Sequence, residues 1–91
     1  MQIRLHAFGY RGAPQQTLTV GANGHPCAPV PVGPEWQTAE CTLDAAAWRS
    51  GVNRVQLTFG YSARPMDVGL GSDPRELAAA VDWIRVSVAE R

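Results

Sequence analysis

The feature that most constrains this chain is a two-residue hydrophobic period that keeps returning and never gives way to a long helical one. Ile3, Leu5 and Ala7 alternate with Gln2, Arg4 and His6, and Leu18, Val20 and Ala22 alternate with Thr17, Thr19 and Gly21. Successive side chains of a strand point to opposite faces, so each run predicts a strand with one face on a core and the other in water. The pattern recurs within 53–61, where Val55, Leu57 and Phe59 alternate with Gln56 and Thr58. A last strand is predicted over 81–88, with Ile84, Val86 and Val88 inward.

Turn chemistry separates these runs. Asn23 and Gly24 both tolerate positive φ and end the second strand. In the stretch HPCAPVPVGP, Pro26, Pro29 and Pro31 lack amide donors, so any strand there belongs at a sheet edge. Gly33-Pro34 turns the chain into a further strand over 35–43. Asp44 followed by alanines predicts a single helical turn, with Gly51 available to close it. Asp73, Pro74 and Glu76 have the N-cap, N1 and N3 pattern of a helix start, which predicts a short helix over 76–80. About six strands with one or two short helical turns make an all-β, antiparallel β-sandwich, jelly-roll-like, or a partly open barrel. The lack of crossover helices of about ten residues or more argues against parallel α/β.

At 91 residues the chain forms one module over 1–91, whose core buries roughly 60–65% of the unfolded surface. Eight arginines balance eight acidic residues and there is no lysine. A chain without a basic stripe has little to offer nucleic acid, whose binding needs phosphate neutralisation. Nor is there a basic cluster for an anionic bilayer, or an apolar run near the ~20 residues that direct membrane insertion needs. The opening MQIRLHAFGY alternates where a signal peptide would have an apolar block. A role outside the cytoplasm therefore implies that the module is a fragment of a larger, exported protein.

The chemistry-bearing residues are sparse. His6 and His25 are far apart with no further ligands at metal-binding spacing, so no metal and no cofactor is expected. No nucleophile elbow or H-E-x-x-H occurs, and no catalytic residue can be assigned. Gly69-Leu70-Gly71 lacks the third glycine and preceding strand of a phosphate loop. The eight carboxylates show no spacing that selects a pair, so a small hydrolase with paired carboxylates is a minor alternative. Cys27 and Cys41 each lie seven positions from Pro34. A hairpin turning at Pro34 sets them opposite each other as a candidate disulfide, the alternative being two free buried thiols. A bridge would favour an oxidising compartment. Among the aromatics, Tyr10 and Trp36 lie at strand ends beside loops, and Trp83 is out of phase with Ile84 and Val86. These rings either plug the ends of the sandwich or offer faces on which a sugar can stack.

The segments LTVGANG, HPCAPVPV, EWQTAECTL and WRSGVNRVQLTF together carry a resemblance. A strand ending in Asn-Gly, a short return strand, a crossing strand and a Gly-x-Asn turn into a core strand are similar to the galactose-binding-domain-like jelly roll. Sugar-binding domains of family 2 glycoside hydrolases share this grammar. The tail SDPRELAAAVDWIRVSV resembles the closing segment of β-sandwich domains appended to bacterial membrane glycosyltransferases. The likeness spans roughly residues 15–88, and it implies a non-catalytic accessory module, extracytoplasmic, that binds carbohydrate. Loops around 10–14 and 61–66 together with Trp36 would then form the site. Tyr10, Trp36 and Tyr61 would supply the rings, and Arg64 would hydrogen-bond hydroxyls. The alternative that the residues leave open is a structural module that braces a neighbouring domain or protein, with a homodimer through unpaired edge strands.

Overall fold

The computed structural model describes residues 1–87, and in it seven strands form two antiparallel sheets, with two short 3-10 turns and no longer helix. β1 (Gln2–Ala7) is the middle of the first sheet, between β5 (Gln37–Glu40) and β7 (Ala79–Arg85). β2 (Gln16–Ala22) is the middle of the second. β6 (Val55–Phe59) pairs along one edge of β2; β3 (His25–Pro26) and β4 (Val30–Val32) pair in succession along the other. The expected all-β antiparallel sandwich is the fold observed.

The alternation in β1 and β2 does what its period dictates. Ile3, Leu5, Ala7, Leu18, Val20 and Ala22 are all buried, and Val32, Ala39 and Cys41 pack with the first five of them in one core. Each of the large side chains contributes about 1.5–3 kcal/mol by leaving water. The prolines take the predicted edge: Pro26 and Pro31 lie on β3 and β4, whose outer edges pair with nothing among the described residues. Asn23 adopts the left-handed conformation at φ 51°. Its Nδ2 donates to Asn53 Oδ1 at 2.7 Å and to the Ala47 carbonyl at 2.8 Å, while its Oδ1 accepts the Arg54 amide at 2.9 Å. The Asn-Gly turn and the Gly-x-Asn turn are thus clasped to each other.

Three expectations are corrected. Residues 76–80 are not helical: Leu77 pairs with Ala63, and β7 begins at Ala79. The Asp73 carboxylate, expected to cap a helix, instead accepts the amide and guanidinium of Arg75. Short polar side chains that bond their own backbone in this way compete with helix formation. The turn at Pro34 is not a hairpin either, because β4 and β5 belong to different sheets. Cys27 and Cys41 are nevertheless joined by a disulfide, with Cα atoms 6.1 Å apart, so the bond staples one sheet to the other. It sets the β3–β4 edge beside β5, which leaves β6 and β7 on the opposite flank. The last strand, finally, is shorter and bulged. Arg4 faces Trp83 and Leu5 faces Val81, so Asp82 is an extra residue that puts Val81 and Ile84 on the same, core-side face. Ile84 and Val86 are nonetheless 44% and 53% exposed; Val88 lies outside the described residues.

Candidate functional site

Gln16 organises one end of the sandwich. It has the phase of Leu18 and Val20, and its side chain is fully buried. Nε2 donates to the carbonyls of Tyr61 at 2.8 Å and Ala78 at 3.2 Å, and Oε1 accepts the amides of Tyr61 at 3.1 Å and Thr17 at 3.0 Å. One amide side chain therefore bonds backbone groups of Thr17, Tyr61 and Ala78, the last of which also accepts the Phe8 amide. Gly60 makes this approach sterically feasible, since a Cβ there would come within 2.5 Å of Thr17 Oγ1.

With Tyr61 held in this way, its ring forms a wall of an open cleft of about 740 Å³. The Tyr61 hydroxyl donates to the Phe8 carbonyl at 2.9 Å, and the Tyr10 ring meets the Tyr61 ring edge-on at 6.1 Å. Partial burial, and next the neighbouring Tyr10, push the Tyr61 hydroxyl above its usual pKa, so it remains a neutral donor. Phe8 packs beside Tyr10 at 5.7 Å, and Pro14 and Pro34 add rigid apolar surface. The polar lining comes from Gln15, Gln16 and His6. His6 Nδ1 lies 2.9 Å from the Ala7 carbonyl. A carbonyl can only accept, so Nδ1 carries the proton, and in the neutral ring Nε2 is left as an acceptor.

Of the four residues expected to bind ligand, the fold brings Tyr10 and Tyr61 into this one cleft. Trp36 stands apart from the lining, on the outer face of the first sheet, and is 48% exposed. It meets the His6 ring edge-on at 4.4 Å and carries the Arg4 guanidinium 4.7 Å above its ring. Arg64 is not in the cleft: its Nε bonds Asp67 at 2.7 Å within the turn at 65–67. The sequence reading missed His6, Gln15 and Pro34 as lining residues. The outward phase of His6 at the end of β1 was the one signal that could have marked it.

No carboxylate among the described residues lines the cleft. Among the described residues, no three or more His, Cys, Asp or Glu side chains cluster in a way that could hold a metal ion, and no helix is long and apolar enough to cross a membrane. What the arrangement can do chemically is offer aromatic faces, proline edges, side-chain amides and one imidazole acceptor to an uncharged ligand. No protein-family model, curated protein or solved structure significantly matches the chain.

Proposed function

We propose that this chain is a non-catalytic accessory module of the galactose-binding-domain-like kind, and that it binds a neutral carbohydrate in the Tyr10–Tyr61 cleft. The observation that carries the reading is the lining itself: two tyrosines, Phe8 and two prolines beside Gln15 and His6, with no acidic side chain among the described residues. Sugar C–H faces pack on such rings while amides and imidazole take the hydroxyls. A glycosidase would need two carboxylates across the scissile bond, and the described residues of this lining supply none. The clasp between Asn23 and Asn53 supports the family reading, because it joins the two turns that carry the resemblance. The disulfide supports work in an oxidising, extracytoplasmic setting.

The test is a titration of the purified chain with glucose, galactose, mannose and their short oligomers, followed by NMR and calorimetry. Saturable shifts at Gln15, His6 and Tyr10 are expected, along with loss of binding in Tyr10→Ala while the fold persists. Silence across the panel, or undiminished binding by Tyr10→Ala, would sink the proposal. A bracing role toward a neighbouring domain or protein is the second reading. It draws on the uncovered apolar side chains of β7.

A further inference from the structure

From the open flank of the sandwich we infer a second interaction surface: the free edge of β7 pairs antiparallel with β7 of a second copy, joining two three-stranded sheets into one of six strands. The edges of the two sheets are not equally protected. The β3–β4 edge carries Pro26, Pro29 and Pro31, each of which removes a donor and discourages pairing. β5 is only four residues long and carries Glu40. β7 is seven residues long, has no proline, and pairs only with β1 among the described residues. Its core-side residues Val81 and Ile84 are 42% and 44% exposed, although they lie opposite Leu5 and Ile3, which are fully buried. The apolar face is built but uncovered, which marks an interaction surface.

Two features of β7 select a second copy as its occupant. The first is the bulge. A regular strand can follow β7 only by leaving Asp82 unmatched, as β1 does. Two bulged strands about a two-fold axis stay in phase along their whole length. Val81 then lies beside the partner's Ile84 on the core side, and Ala80 lies beside the partner's Arg85 on the outer side. The second feature is charge. In that register Arg85 lies diagonal to the partner's Asp82, within the reach of long side chains, so the strand is complementary to itself. A net charge of zero adds no long-range repulsion between copies.

Sedimentation and light scattering of the full chain test this across a concentration series, because a dimer grows in by mass action. A concentration-dependent dimer is expected, with intermolecular NOEs between Val81 and Ile84 methyls in a mixed-label sample. Ile84→Lys, at an exposed position, should give a folded monomer by circular dichroism, and Arg85→Glu should raise the dimer Kd at least about tenfold. A chain that stays monomeric up to about 1 mM overturns the inference. So does a dimer that survives Ile84→Lys, or open-ended oligomers in place of a closed pair. Sugar binding in the cleft is independent of all three outcomes.

Discussion

The two flanks of the sandwich are finished in different ways. Where β4 stands over β5, a disulfide ties the sheets together, prolines line the edge, and the buried Val32, Ala39 and Cys41 fill the gap. On the flank formed by β6 and β7, Val55, Leu57 and Phe59 are only half-buried and Val81 and Ile84 are exposed. No covalent tie closes that side; hydrogen bonds hold the long segment 60–78 that joins β6 to β7, among them the Gln16 clamp, the Tyr61 hydroxyl and Ala78 carbonyl on Phe8, and the pairing of Ala63 with Leu77. The comparison teaches where a small domain concentrates its stability. A core of modest size needs a staple, and the staple has been placed on one flank. The other flank is left free for surfaces that a fully closed sandwich would bury.

The largest effect should follow from opening the closed flank. The bridged cysteines are 14 residues apart in sequence, and a loop of that length is worth about 3 kcal/mol through the restricted unfolded state. Cys27→Ser with Cys41→Ser should therefore lower Tm by roughly 10–20 °C for a domain of this size. Thermal unfolding with and without reductant reads this directly. A loss of only a degree or two would mean that both flanks are held by packing alone, and the contrast drawn here would fail.

A smaller loss is expected at the open flank from Gln16→Leu. The substitution fits the apolar core but strands the Tyr61 amide and carbonyl that Gln16 now pairs, while the Ala78 carbonyl keeps the Phe8 amide. Because the adjacent cleft admits water to part of this site, the cost should be about 2 kcal/mol and not the sum of several buried vacancies. Urea denaturation measures it. The same variant should release Tyr61 and weaken binding of neutral sugars in the cleft, an effect that the cysteine variants should not share.

Much of this architecture was legible in the residues, for definite reasons. Ile3, Leu5, Ala7, Leu18, Val20 and Ala22 announce two core strands because their partners on both sides are in phase with them. The prolines announce an edge because they lack a donor. Other features depend on long-range choices that local sequence does not contain. Asp73-Pro74-Arg75-Glu76 and the alanines after it satisfy the rules of a helix start, yet pairing of Leu77 with Ala63 and of Ala79 with Ala7 overrides them. The symmetric placement of Cys27 and Cys41 about Pro34 suggested a hairpin, whereas the chain crosses from sheet to sheet there and the bond forms between layers. Tyr10 and Tyr61 share a cleft because Gln16 gathers three segments, and a polar residue in a core phase is the trace of that clamp which the sequence offers. Arg64 shows no comparable trace of its engagement with Asp67, its neighbour in the next turn.

The smallest effect concerns acid, and it sharpens the comparison by separating the flanks without mutating either. Asp73 lies in segment 60–78 of the open side. Hydrogen bonds from the Arg75 side chain, and then from its amide, hold the Asp73 carboxyl at about 2. A carboxyl held below its unfolded value stabilises the fold above that value and loses this contribution as pH falls through the folded one. The window therefore runs from about pH 4 down to about pH 2. The pair is exposed, so the effect should be slight and weakened further by salt. Carboxyl ¹³C titration should place the Asp73 midpoint near 2, and Arg75→Ala should return it toward the ordinary carboxylate range. Amide protection at Ala63 and Leu77, whose backbones bond each other at 2.8 and 2.9 Å, should fall across the same window. Protection at Cys27 and Cys41 should hold, because their amides bond backbone carbonyls beside a staple that does not titrate. A midpoint near 4, or equal loss of protection on both flanks, would show that the open side is not the weaker one.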